Sequence, residues 1–147
     1  MHITFAIGRV FLVLIFILSG AMKLFDLPKT AAMIAPVISI PDMLAGPIGQ
    51  IETTTGMKWP QLLAILAGVV EVVAGLFIAV NIATRSAAVV LALFTLVATF
   101  YFHAFWNMSG AEMQNNMIHA LKNLSIIGGL LTFVVLGSWR PVRSNHI

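Results

Sequence analysis

Residues 60–82 read PQLLAILAGVVEVVAGLFIAVNI, an apolar run in which Glu71 is the one charged residue. A run of about 20 apolar residues is long enough to cross the hydrocarbon core of a bilayer as an α-helix. Pro60 suits the first turn of such a helix, where its missing N–H costs nothing. The stretch therefore predicts a transmembrane helix with a carboxylate near its middle.

The rest of the chain repeats this pattern at residues 5–24, 86–106 and 117–136. Of the 147 residues, 60% are hydrophobic and 9% are charged, whereas soluble domains average about 45–50% apolar and 25% charged residues. The first stretch also has the outline of a signal peptide, but its length favours a span. The sequence predicts an all-α fold. We expect one domain over residues 1–147, an integral membrane four-helix bundle with spans at about 5–24, 60–82, 86–106 and 117–136.

The segment between the first two spans, residues 25–59, is interrupted by four prolines. It is too broken to span but apolar enough to lie at the interface, so we expect a proline-rich interfacial outer loop that covers one end of the bundle. Arg85 lies between the second and third spans, and Arg140 and Arg143 follow the fourth. Because positive residues favour the cytoplasmic side in short loops, both termini are predicted to be cytoplasmic.

The composition excludes several kinds of chemistry. The chain contains no cysteine, so it has no disulfide, thiol nucleophile or iron–sulfur site. Its basic residues are scattered and the net charge is only +3, which does not indicate a nucleic-acid partner. Thioether and imidazole groups that could hold Cu(I) are present at Met108, Met113, Met117 and His119. His103 and His119 could also ligate haem. Flexible interfacial methionines are the simpler interpretation, and we predict no metal site.

Polar and ionisable side chains within the spans are the candidate site residues, because a charge in the bilayer is costly and usually faces the bundle interior. Most of them fall towards the outer end of the bundle on four different helices, so we predict one polar pocket there. Glu71 and His103 are the candidate catalytic groups, since both can exchange protons. The candidate cofactor-binding residues are Lys23, His103, Trp106, His119, Lys122 and Asn123, and Arg9 near the inner end is a structural charge.

The charges within the spans do not balance. Three cations, Arg9, Lys23 and Lys122, lie there against the single anion of Glu71. Low dielectric makes such an excess costly unless a ligand compensates it. We therefore hypothesise that the pocket binds a quinone or a small oxyanion, with Lys122 and His103 as donors. Structural interpretations stay open, because Arg9 and Lys23 could extend to the interface and Glu71 could form an ion pair with Lys122.

Five short motifs occur in order along the chain: Gly8-Arg9, FILSGAMKL at 16–24, EVVAG at 71–75, FHAFW at 102–106 and KNL at 122–124. Together they resemble the DoxX family of small four-helix membrane proteins. The resemblance implies an inner-membrane protein similar to the small subunit of an archaeal thiosulfate:quinone oxidoreductase, and hence a quinone cofactor and a redox partner. The matching polar positions are Arg9, Lys23, Glu71, His103, Lys122 and Asn123. The wider group includes disulfide-handling relatives, whose chemistry a chain without cysteine cannot perform.

Two functions of different classes remain at this point. The first is a redox-linked subunit that binds a quinone or small oxyanion in an outer-facing pocket. The alternative is a non-enzymatic membrane scaffold or transport accessory, in which the buried charges only fix the bundle and the outer loop docks another protein. His103 would then belong to an interfacial aromatic belt with Tyr101 and Trp106, and Asn123 would form an interhelical hydrogen bond. Either protein would contact lipid and bind a protein partner or a second copy of the chain. Whether the chain is itself an enzyme stays open.

Overall fold

A computed structural model describes residues 2–137, and these form helices joined by short connections, without a strand. The helices are α1 (His2–Phe25), α2 (Leu27–Ile34), α3 (Asp42–Thr55), α4 (Trp59–Ala79), α5 (Thr84–Phe102) and α6 (Gly110–Leu136). Within this part of the chain, α1, α4, α5 and α6 are long and apolar enough to cross a membrane. The expected all-α, four-span fold is confirmed. Arg140 and Arg143, on which the orientation prediction partly rests, lie outside the described residues.

The long helices differ from the predicted spans mainly at the connection between α5 and α6. α5 ends at Phe102, and a short 3-10 turn follows at Phe105–Asn107. α6 begins at Gly110, whereas the predicted span begins at residue 117. The first two turns of α6 are polar, so the hydropathy pattern does not predict them. Glu112 stands in the first turn of α6, where the helix dipole favours an acidic side chain.

Much of the proline-rich segment between α1 and α4 is helical. Pro28 stands in the first turn of α2, and Pro41 immediately precedes α3. The Asp26 side chain accepts a hydrogen bond from the backbone N–H of Lys29 and so caps α2, which packs along α4. Two helices therefore replace most of the expected loop, because Pro28 and Pro41 stand where a helix can begin. Pro47 lies inside α3, where it removes one intrahelical hydrogen bond without ending the helix.

The four long helices associate as two pairs, α1 with α4 and α5 with α6, and α4 joins the pairs through α5. α1 also meets α6, where Leu12 lies against Gly129 and the rings of Phe5 and Phe133 have centroids 5.4 Å apart. These contacts lie at the end of the bundle that carries Arg85, called the Arg85 end below. The opposite end is called the His103 end.

The tightly packed core lies towards the Arg85 end. Its fully buried side chains include Val13, Ile78, Leu91 and Leu130, one from each long helix. The outward faces of the long helices stay apolar, as contact with lipid requires. The two halves of the bundle therefore differ, since the His103 half holds the polar groups and a cavity.

Candidate functional site

A buried ion pair joins α1 to α4. Lys23 Nζ lies 2.7 Å from Glu71 Oε2, and the same ammonium donates a hydrogen bond to Ser19 Oγ one turn earlier on α1. The Ser19 hydroxyl in turn donates to Glu71 Oε2 over 3.3 Å. Glu71 is 4% exposed, whereas the Lys23 side chain is 26% exposed. The carboxylate is thus both neutralised and hydrogen-bonded, as burial in a low dielectric requires.

Glu71 is paired with Lys23 and not with Lys122, the partner considered from the sequence. Lys122 is exposed on α6, a helix that packs mainly on α5. Helical periodicity places a residue on one face of its helix, but it does not say which neighbouring helix that face will meet.

Two glycines allow the close approach of α1 and α4 beside the ion pair. A Cβ added to Gly20 would lie 2.7 Å from the carbonyl oxygen of Gly68 and 2.9 Å from Glu71 Cβ. A Cβ added to Gly68 would lie 2.9 Å from the carbonyl oxygen of Gly20. Direct backbone contact at small residues is common between membrane helices. Here the contact brings Lys23 within reach of Glu71.

A cavity of about 510 Å³ opens beside the ion pair in the His103 half. Its walls come from α1, α2, α4 and α5, together with His103 just after α5. The polar side chains on the wall are those of Lys23, Glu71, Tyr101, His103 and the buried Thr30. The mainly apolar remainder includes Ile34, Leu63, Leu66, Ala67, Val70, Phe94, Val97, Ala98 and Phe102. An apolar cavity of a few hundred Å³ with few convergent polar groups is the usual form of a small-molecule site.

The His103 ring connects this cavity to α6. His103 Nδ1 lies 3.0 Å from Asn116 Oδ1, and the Asn116 amide donates to the backbone carbonyl of Glu112. The rings of His103 and His119 stack with centroids 5.0 Å apart and an interplanar angle of 12°. Stacked rings hold their nitrogen lone pairs side by side instead of pointing them at one shared atom. This arrangement does not suit a pair of axial haem ligands.

Asn123 links α6 to α5 through a chain of hydrogen bonds. Its side-chain amide donates to Thr99 Oγ1 over 2.8 Å, and the Thr99 hydroxyl donates to the backbone carbonyl of Thr95 over 2.6 Å. Asn123 does not line the large cavity. Its observed hydrogen bond joins two helices, which agrees with the structural interpretation that the sequence left open.

The structure divides the predicted single pocket into two groups of residues. Lys23, Glu71 and His103 line the cavity. The other predicted binding residues, Trp106, His119, Lys122 and Asn123, do not line it, and Arg9 lies half-buried towards the Arg85 end. Trp106 is 51% exposed and packs on neighbouring aromatic rings. The expectation that all four spanning helices share one pocket is corrected, because α6 pairs with α5 and contributes no side chain to the cavity wall. The short helix α2 contributes instead.

Two residues of this arrangement were not predicted from the sequence. Ser19 could have been found, since it stands one turn before Lys23 on the same face of α1. Asn116 could not have been predicted, because it lies in a polar segment that the hydropathy pattern assigns to a loop. Only the helical path of α6 brings its side chain to His103.

The site and fold define a class of protein: a small four-span membrane bundle with a buried Lys–Glu pair beside an apolar cavity. The DoxX family model matches residues 4–104, which include Lys23, Glu71 and His103. The chain is also 32% identical, over 131 residues, to the inner membrane protein YphA of Escherichia coli (strain K12). That match covers 89% of this chain and 81% of YphA. The chain therefore belongs to the DoxX family and is a multi-pass inner-membrane protein. No solved structure matches it.

Proposed function

We propose that the protein is a redox-linked membrane subunit that binds a quinone in the cavity beside Lys23 and Glu71. The observation that carries this proposal is the combination of an apolar cavity of about 510 Å³ with a cation, a carboxylate and an imidazole on its wall. A quinone headgroup is a flat apolar ring with polar atoms at opposite edges. The residues present fit that kind of group, since apolar side chains can contact the ring while Lys23 donates to one of its oxygens.

The position of the cavity supports a ligand with a long apolar tail. Leu66 on α4 and Val97 on α5 both line the cavity, yet they are 59% and 53% exposed on the outside of the bundle. The cavity therefore borders the lipid between α4 and α5. A ring could occupy the cavity while its tail remained in the bilayer.

Lys23 supplies the donor for a carbonyl oxygen. A lysine ammonium has three N–H groups, and Lys23 uses two of them on Ser19 and Glu71. The third N–H has no acceptor among the described residues, and the Lys23 side chain lines the cavity. Its positive charge would strengthen such a hydrogen bond.

The charge balance of the cavity favours a neutral ligand over an oxyanion. Lys23 and Glu71 neutralise one another, and the two remaining cations, Arg9 and Lys122, lie outside the cavity. An anion entering the cavity would lose its hydration next to the Glu71 carboxylate without a free cation to compensate. A neutral ligand with an acceptor oxygen can accept a hydrogen bond from Lys23 without losing the hydration of a charge.

Glu71 and His103 are among the groups on the wall that can hold or transfer a proton. When bound, a quinone would supply two-electron redox chemistry coupled to proton exchange. The electrons would pass to or from a partner protein, as the likeness to a thiosulfate:quinone oxidoreductase subunit suggests. The chain's own residues would bind and orient the ring and move protons.

Native mass spectrometry with lipid extraction of the gently purified protein tests the proposal. The wild-type protein should retain a quinone, whereas Ala98→Phe, which places a ring inside the cavity, should lose it. Ala111→Phe is the matched control, because Ala111 is exposed on α6 and lies outside the cavity. Loss of quinone in Ala98→Phe alone would support the site. Absence of quinone from every sample would favour the scaffold function, in which the Lys23–Glu71 pair only fixes α1 against α4.

A further inference from the structure

We infer that the cavity selects the reduced, hydroquinone form of its ligand, and that Asn116 is the positioning residue that sets this preference through His103. The inference rests on the proposed function, since it specifies which form of a quinone the site holds. It comes from the orientation of one amide on α6, a side chain that does not line the cavity.

The orientation of the Asn116 amide is fixed by its own helix. Its Nδ2 group donates to the backbone carbonyl of Glu112, 3.1 Å away and one turn earlier. The amide oxygen is therefore the atom that faces His103, at 3.0 Å from Nδ1. An amide oxygen can only accept a hydrogen bond, so His103 Nδ1 must carry the hydrogen.

This contact assigns the tautomer of the imidazole. When Nδ1 carries the hydrogen in a neutral histidine, Nε2 has a lone pair and acts as an acceptor. Among the described residues, Nε2 of His103 has no hydrogen-bond partner, and the side chain lines the cavity. His119 stacks on the ring face and so restrains its rotation. The cavity therefore offers an acceptor at His103 and a donor at Lys23. The Tyr101 hydroxyl, also on the wall, can donate or accept and so does not distinguish the two forms.

The two forms of a quinone match these groups differently. A hydroquinone hydroxyl can donate to His103 Nε2, and the oxygen of its other hydroxyl can accept from Lys23. A quinone has only carbonyl acceptors, so its second oxygen would face the lone pair of Nε2. A site built to accept from a hydroxyl discriminates against an analogue that lacks the hydrogen, because the acceptor that the ligand covers is then left unpaired.

Binding should be measured anaerobically by calorimetry, with decylubiquinone and its chemically reduced form as the probes. Mildly alkaline pH is suitable, because histidine is ordinarily neutral there. We expect the wild-type protein to bind the reduced form at least about tenfold more tightly. Asn116→Leu, which frees His103 to change tautomer, should bring the two affinities close together. Asn116→Asp retains an acceptor and should keep the preference. Asn115→Leu is the matched control, since Asn115 is the exposed neighbour on the same turn.

Nitrogen NMR of protein labelled at the histidine rings provides a readout that a purely structural role would not change. The signals of His103, identified by their loss in His103→Gln, should report a hydrogen on Nδ1 in the wild type and a changed tautomer in Asn116→Leu.

A wild-type hydrogen on Nε2, equal affinity for the two forms, or an unchanged preference in Asn116→Leu would each overturn the inference and leave the proposed function standing. Failure of both forms to bind the wild type would instead overturn the proposed function, and this inference with it.

Discussion

At the scale of the residue, Lys23 and Glu71 matter most as a pair. Two charges taken from water into a low dielectric are tolerated only if each compensates the other. Glu71 is almost completely buried and depends on this compensation, with Ser19 completing its hydrogen bonds. Losing one member of the pair therefore costs more than losing both.

Lys23→Met should lower the free energy of unfolding by about 2–4 kcal/mol, because it leaves the Glu71 carboxylate unpaired. The double variant Lys23→Met/Glu71→Gln should recover most of that loss. The measurement is reversible unfolding in mixed micelles, followed by circular dichroism. Lys122→Met is the control, since Lys122 is exposed and makes no ion pair among the described residues. Equal effects of Lys23→Met and Lys122→Met would contradict the importance of the pair.

The sequence predicts which residues of the site are unusual but not which of them meet. The cost of a charge in the bilayer identifies Lys23 and Glu71. Their pairing depends on the backbone contact between α1 and α4, which no local pattern specifies. The same limit explains why Lys122, identified by the same rule, lies outside the cavity.

At the scale of the element, the contact of α1 with α4 is controlled by residues that have no side chain. Gly20 and Gly68 lie against each other's backbone, and the ion pair begins less than one turn away on each helix. A methyl group at this point could be accommodated only by separating the helices. Separation would also lengthen the contact between Lys23 and Glu71.

Gly20→Ala should destabilise the protein by about 1–3 kcal/mol, because the added Cβ meets rigid backbone. The matched control is Gly8→Ala on the same helix, where an added Cβ meets nothing within 4 Å. Its stability should be unchanged or slightly higher. Thermal unfolding of the two variants in one detergent checks the difference. A Gly20→Ala protein as stable as Gly8→Ala would show that the helices separate without cost.

Hydropathy predicts the elements well where it is strong and poorly where polar or proline residues occur. All four long helices follow from apolar runs of sufficient length. α2 and α3 were not predicted, because their prolines suggested a loop, although Pro28 and Pro41 stand where a helix can begin. The first turns of α6 were also not predicted as helix, because their polar residues carry no apolar pattern.

At the scale of the whole molecule, the bundle has one packed half and one open half. The Arg85 half is filled by core side chains from all four long helices. The His103 half contains the ion pair, the cavity and the stacked histidines. If both termini are cytoplasmic, as the basic residues predict, the cavity lies towards the outer leaflet.

The absence of native cysteine makes this orientation directly testable with single introduced cysteines. Thr54→Cys, exposed near the end of α3, should react with a membrane-impermeant maleimide in intact spheroplasts. Ser86→Cys, exposed near the start of α5, should react only after the membrane is permeabilised. The wild-type chain, which cannot react, is the control. The opposite labelling pattern would invert the orientation and place the cavity in the cytoplasmic leaflet.

The pairing of Lys23 with Glu71 also bears on how the chain is made. α1 leaves the ribosome before α4, so its lysine enters the membrane first and alone. Lys23 stands near the end of α1, where its long flexible side chain can extend to the aqueous interface. The ammonium can stay hydrated there until α4 is inserted. Glu71 lies in the middle of α4, and its shorter side chain cannot reach the aqueous interface from there. The order of synthesis thus inserts α1 first, the helix whose charge can reach water without a partner. α4, whose buried Glu71 needs a partner, enters the membrane when Lys23 is already present.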